Sequence, residues 1–229
     1  MADATTISAQ RGRFVTFEGG EGSGKSTQIR TLAHRLETEG VDVVVTREPG
    51  GSPGAEIVRH LLLSGMGKLL GAEAETLLFA AARDDHVHSV IAPALARGQW
   101  VLCDRFSDST RAYQGEVGHV APGVLNALQR VTIGNLRPDL TFILDVPVDV
   151  GLHRAKLRRG SDAPDRFEGE DLIFHQQLRD AYRDIAAREP QRCVLIAADA
   201  DADTVAAAIW SELNKRLPER ARRASAAPA

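Results

Sequence analysis

RFVTFEGGEGSGKST, residues 13–27, joins a β-rich run to a helical pattern through a cluster of glycines. Arg13–Glu18 is short and β-rich, and Gly19–Gly24 is dense in glycine. Lys25–Glu39 then carries helical spacing through Ile29, Leu32, Ala33 and Leu36. Residues 19–26 fit G-x-x-x-x-G-K-[ST] between a predicted strand and a predicted helix, the context this motif requires. Its glycines let successive backbone N–H groups turn inward as a concave anion site, and the helix N-terminus adds its dipole. Gly19, Gly20, Glu21, Gly22, Ser23, Gly24 and Thr27 would cradle the phosphates of the nucleotide. Lys25 would reach the β- and γ-phosphates, and the Ser26 hydroxyl would ligate Mg²⁺. The motif implies a nucleoside triphosphate and Mg²⁺, not what is done with them.

Working outward, Val41–Thr46, Trp100–Cys103, Leu140–Asp145 and Cys193–Ala197 read as further strands. Helical patterns fill the intervals at 55–63, 72–96, 122–132, 148–159, 172–188 and 204–217. Near-continuous apolar strands alternating with helices imply an α/β chain with a parallel sheet covered on both faces. The phosphate-binding motif at 19–26 after its first strand makes the expected fold that of a P-loop NTPase. Residues 13–217 read as one domain, with flexible ends at 1–12 and 218–229 and a mobile charged lid at about 158–170. A Gly/Pro loop, Glu48–Gly54, follows the second strand, at the sheet edge where ligands bind in open α/β sheets.

The 229 residues, 43% hydrophobic and 26% charged, can bury a sizeable core. A net charge of −3 argues against a non-specific grip on a nucleic-acid polymer. Cys103 and Cys193 sit in apolar runs and read as reduced core thiols. No apolar run approaches the roughly 18 residues of a membrane helix, and the N-terminus lacks a signal-like apolar region. The expected location is the cytoplasm.

A GTPase would usually carry N-K-x-D to read guanine, but Asn214–Lys215 continues into Arg216 and Leu217. A motor would need a larger chain or an oligomerisation domain. A small kinase suits the length and the arginines. Asp104 closes the third strand as a carboxylate for Mg²⁺ or its waters, and Arg105 beside it can grip an anion. Arg154 and Arg158 lie four apart on one helix face before the charged loop, with Arg159 and Arg166 nearby. His86 and His88 are two apart and do not share a helix face, which disfavours a zinc site. An acceptor that is itself a phosphate needs no general base. Its second pKa is near ~6, so the chemical problem is repulsion between anions.

FVTFEGGEGSGKSTQ, TREPGGSPGAEIVR, LLFAAARDDH, PALARGQWVLCDRFSDSTRAYQG and RPDLTFILDVP, in this order, resemble the thymidylate kinase family over about residues 13–198. The resemblance implies a five-stranded parallel sheet, a homodimer, and transfer of phosphate from ATP to dTMP in dTTP synthesis. It further implies that Glu21 accepts from the deoxyribose 3′-OH and that Arg105 binds the dTMP phosphate with Arg47 and Arg59 nearby. Phe79 would stack on thymine, Arg83 would donate to its O4, Thr110 and Gln114 would line the base, and Tyr113 would crowd the 2′ position. Because none of the loop positions Gly20, Glu21, Gly22 and Ser23 is basic, the resemblance is to members whose lid supplies the catalytic arginine. Arg158 and Arg154 are the first choices, with Lys25 and Arg105 completing the catalytic set. Another nucleoside monophosphate or deoxynucleoside kinase, or a non-catalytic nucleotide-binding regulator, are the alternatives.

Overall fold

Strand β1 (Phe14–Glu18) is buried at every position, as a parallel strand in the middle of a sheet must be. The computed structural model describes residues 11–160 and 166–218. The other strands are β2 (Val43–Arg47), β3 (Trp100–Asp104), β4 (Leu140–Asp145) and β5 (Cys193–Ala197). All pairings are parallel, in the order β2-β3-β1-β4-β5. The register sets Phe17 beside Asp104 and Arg47 beside Asp104. The carboxyl ends of β1, β2 and β3 therefore form one edge carrying Glu18, Arg47 and Asp104.

Alternation along β1 divides the core. Val15 and Phe17 face Ile29, Leu32 and Leu36 of α1 (Lys25–Thr38) and Val205, Ile209 and Leu213 of α9 (Ala202–Arg216). Phe14 packs on the opposite face with Val87, Ile91, Leu95 and Phe106. On that face α8 (Leu172–Arg188) brings Leu178, Tyr182 and Ile185 against Ile143. Coverage on both faces holds at the centre and loosens at the edge strands, where Val45 and Leu195 are partly exposed. α2 (Pro53–Leu63), α6 (Pro122–Thr132) and α7 (Val148–Arg159) follow the sequence reading.

Elsewhere the structure corrects that reading. The helix predicted over 72–96 is interrupted: α3 (Ala72–His86) passes through a π-helical turn, Val87–Ile91, into α4 (Ala92–Ala96). Pro93 has no N–H to donate and its ring crowds the carbonyl of Ser89, and a widened turn relieves both problems. Residues 107–117, predicted without helix, form α5 (Ser107–Thr110) continued by a π-helical segment, Arg111–Val117. α9 begins two residues earlier than predicted because Asp201 caps it, accepting from the N–H groups of Asp203 and Thr204. The predicted flexible ends lie largely outside the described residues. Gly12 already donates its N–H to the Leu95 carbonyl at 2.9 Å.

Candidate active site

The loop between β1 and α1 owes its shape to close approaches that only glycine permits. Gly22 has φ 65°, and a Cβ there would lie 1.9 Å from the carbonyl oxygen of Gly151 in α7. The residue before α1, Gly24, has φ 90° and offers no side-chain cap. The first-turn amides of α1 are thus left for an anion. The Lys25 ammonium donates to the carbonyls of Gly19 (3.0 Å) and Gly20 (2.9 Å) and to Ser23 Oγ (3.3 Å). Burial, then the nearby Arg105 charge, brings Lys25 down to about 8. Ser26 Oγ donates to Asp104 Oδ2 at 2.7 Å, joining the P-loop to the end of β3.

From this loop a cleft of about 470 Å³ runs towards α3. Its P-loop end is lined by Glu21 through Thr27 and its far end by Arg47, Arg59, Phe79 and Arg83. Asp104, Arg105, Thr110, Tyr113 and Gln114 complete the wall. Side chains spread over nearly a hundred residues of sequence share one cavity of ligand size. Gly19 and Gly20 lie behind the loop, where they contribute carbonyls to Lys25.

Two arginines organise the cleft, Arg105 beside the P-loop and Arg83 at the far end. Arg105, at φ 70°, turns its guanidinium onto Glu21 Oε1 (2.6 Å), which also accepts from the Tyr113 hydroxyl (3.1 Å). Although burial pushes the Glu21 carboxyl up, Arg105 and then Lys25 outweigh it and hold the group at about 2. Arg83 is buried and fixed three ways: Nε to Glu48 Oε2 (2.7 Å), Nη1 to Thr110 Oγ1 (2.9 Å) and Nη2 to the Phe106 carbonyl (3.1 Å). His86 steadies the same carboxylate, with Nδ1 3.2 Å from Glu48 Oε1 and Nε2 2.7 Å from Thr46 Oγ1. Gly51 must stay small for this arrangement, since a Cβ there would sit 2.5 Å from His86 Nε2.

The lid arginines separate. Arg158 lines the cleft and pairs with Glu168 Oε1 at 2.8 Å. Arg159 pairs with Glu168 Oε2, and Arg166 with Glu75 of α3 and with Glu170. Arg154, expected beside Arg158 in the clamp, instead donates to the carbonyls of Ala198 (2.6 Å) and Asp199 (3.0 Å) after β5. One helical turn is enough to point two arginines at different loops. Residues 161–165 of the expected lid lie outside the described residues.

Phe167 escaped the sequence reading. It lines the cleft, edge-on to Tyr113 with centroids 5.1 Å apart and 6.2 Å from Phe79. A lone aromatic amid the charges of DRFEGE is the signal that could have found it. Among the described residues no group of three or more His, Cys, Asp or Glu is arranged to hold a metal by itself, and no helix is long and apolar enough to cross a membrane.

The family model for thymidylate kinase matches residues 17–209. The thymidylate kinase of Nitrobacter winogradskyi is 72% identical over 217 residues, 94% of each chain. That of Bradyrhizobium diazoefficiens is 72% identical over 218 residues, covering 95% of this chain and 96% of the relative. The crystal structure of thymidylate kinase from Ehrlichia chaffeensis superposes with a TM-score of 0.72 at 36% identity, covering 89% of this chain and 99% of the other.

Proposed function

The chain belongs to the thymidylate kinase family, and from that premise we propose how its residues share the work of moving a phosphoryl group from ATP to dTMP. The enzyme phosphorylates dTMP to dTDP, a step towards dTTP for DNA synthesis. One observation carries the residue assignment: the P-loop and the pocket of Phe79, Arg83 and Arg105 open into the same cleft, so donor and acceptor can meet end to end.

At the donor end, the α1 amides and the Lys25 ammonium hold the β- and γ-phosphates. At the acceptor end, Phe79 offers its face to the thymine and Arg83 donates to O4. Arg105 takes the phosphate, with Arg47 and Arg59 on the same wall. Glu21, held ionised, accepts from the 3′-OH, and Tyr113 limits space at C2′. Arg158 reaches over the junction, where charge builds on the transferring group. The acceptor phosphate is already a dianion at neutral pH, so no side chain has to remove a proton.

Ser26 Oγ and Asp104 Oδ2 present adjacent hard oxygen donors beside the P-loop. Mg²⁺ binds through one or two protein oxygens plus phosphates and waters, so this donor set fits it. When bound, the ion supplies charge neutralisation between the phosphates.

Residues 13–217 are read as one catalytic unit, and the two buried free thiols support a reducing, cytoplasmic setting. A homodimer is supported by the face made by α2, α3 and α6. α2 and α6 both pack on α3, and each of the three exposes an apolar side chain: Ile57 at 75%, Leu77 at 54% and Val131 at 78%. Light scattering is expected to give twice the chain mass, and the double variant Ile57→Glu/Val131→Glu to give a monomer. A monomeric parent protein removes the dimer.

A coupled ADP-release assay across dTMP, dUMP, dGMP, UMP, CMP and AMP tests the function, with strongest turnover expected on dTMP. Faster turnover of any other acceptor overturns it.

A further inference from the structure

Beneath the phosphate end of the cleft, Glu18 ends β1 fully buried, and the transfer described above does not use it. Its Oε1 accepts from the N–H groups of Phe106 (2.8 Å) and Ser109 (3.3 Å). Its Oε2 accepts from Ser109 Oγ (2.6 Å) and the Tyr182 hydroxyl (3.0 Å). These donors surround the turn after β3, where Arg105 adopts a left-handed conformation disfavoured for any residue with a Cβ. Arg105 Nη1 leans on the same two hydroxyls, 3.2 Å from Tyr182 and 3.4 Å from Ser109, and on the Gly19 carbonyl at 3.1 Å.

We propose that Glu18 is a positioning residue for the acceptor phosphate: it holds Arg105 in its left-handed turn and keeps the lone pairs of Ser109 and Tyr182 turned towards the guanidinium. The inference rests on the reading of Arg105 as the cation that takes the dTMP phosphate.

Proton direction links Glu18 to the guanidinium. Each hydroxyl has a single proton. With Glu18 ionised, both protons point at Oε2 and both oxygens can accept from Arg105. A proton on Glu18, or an amide N–H in its place, needs an acceptor. One hydroxyl must then turn its proton to the other, 2.9 Å away, and that proton competes with the guanidinium for the second oxygen's lone pair. Burial, and then the charge of Asp108, raise Glu18 to about 7, against the Ser109 bond and Arg105. The charged and titratable groups facing it are Lys25 of α1, Cys103 of β3, Arg105 of the turn, Asp108 of α5, Tyr113 of the π-helical segment and Tyr182 of α8. Burial drives Cys103, Tyr113 and Tyr182 well above their usual values, away from neutrality.

The test is calorimetric binding of dTMP, and of thymidine as a ligand without the phosphate, to the parent enzyme and to Glu18→Gln between about pH 5.5 and 8.5. At the alkaline end Glu18→Gln is expected to bind dTMP ~10-fold more weakly, the scale of one charged hydrogen bond, and thymidine within about twofold of the parent. The gap for dTMP should close towards the acid end, where protonated Glu18 donates as the amide does. The titration of dTMP itself, near ~6, is common to both proteins and cancels in their ratio. A gap of the same size at every pH, or one equally large for thymidine, overturns the proposal and leaves Glu18 a support of the fold alone. Tyr182→Phe keeps Glu18 and removes one hydroxyl. It should cost about threefold for dTMP and nothing for thymidine, and no loss for dTMP also overturns the proposal. Arg105→Ala separates the two levels. If it fails to weaken dTMP selectively, the reading of the site falls and this inference with it. If it succeeds while the Glu18→Gln gap stays flat, only this inference falls.

Discussion

Arg105→Ala is expected to raise the KM for dTMP at least ~100-fold while moving the KM for ATP by less than about threefold. Two effects combine. The first is loss of charge-assisted bonds to the acceptor phosphate, worth ~1.5–3 kcal/mol each, where 1.4 kcal/mol is a factor of ten. The second falls on Glu21, which keeps its burial but loses the cation 2.6 Å away that does most to hold it ionised. Its grip on the 3′-OH suffers with it. Arg105→Lys recovers only part, because an ammonium cannot reach Glu21 and the phosphate as a fork does. Steady-state kinetics against each substrate, with calorimetry of each nucleotide alone, provide the measurement. Equal losses for dTMP and ATP take Arg105 out of the acceptor site.

Arg158→Ala should leave both KM values within about threefold and lower kcat by ~10³-fold or more, the range for an arginine that meets the transferring phosphoryl group. The geometry distinguishes it from its neighbour one turn back. Arg158 lies over the cleft with its own side chain largely exposed, and its partner Glu168 is also held by Arg159, so Arg158 can swing away without stranding that carboxylate. Arg154 is engaged by the carbonyls of Ala198 and Asp199. Its replacement by alanine should act on the loop after β5 and cost kcat less than about tenfold. Single-turnover rates at saturating nucleotides decide between them, and a larger loss in Arg154→Ala than in Arg158→Ala reverses the assignment.

The helical segment at 107–117 shows why part of this fold could not be read from the chain. FSDSTRAYQG is poor helix sequence, since serine, threonine and aspartate compete for backbone groups and glycine is costly. It becomes helical because distant groups hold it: Glu18 takes the Phe106 and Ser109 amides, and Arg192 grips Asp108 at 2.7 Å. The break at residues 87–91 had a local signal in Pro93, but an apolar pattern continuous through both halves hid it.

Features that depend on neighbours along the chain could be read before the chain was folded. The phosphate-facing part of the P-loop is local, because positive-φ glycines and a lysine that reaches back to Gly19 and Gly20 lie within eight residues, although Gly22 also answers to Gly151 of α7. The alternation of apolar strands with helices likewise required a covered parallel sheet. The residues between Arg47 and Gln114 that ordered motifs singled out line one cleft. Tertiary structure alone decided which of them meet and what each one touches. Arg154 and Arg158 look equivalent on one helix face until the loop after β5 and the lid engage them separately. Phe167 enters the cleft from a charged loop, and Glu18 looks like an ordinary strand end until three elements close over it. The physical reason is the same each time: a side chain's charge state and direction follow from the donors and acceptors around it, and those come from residues far away in the chain.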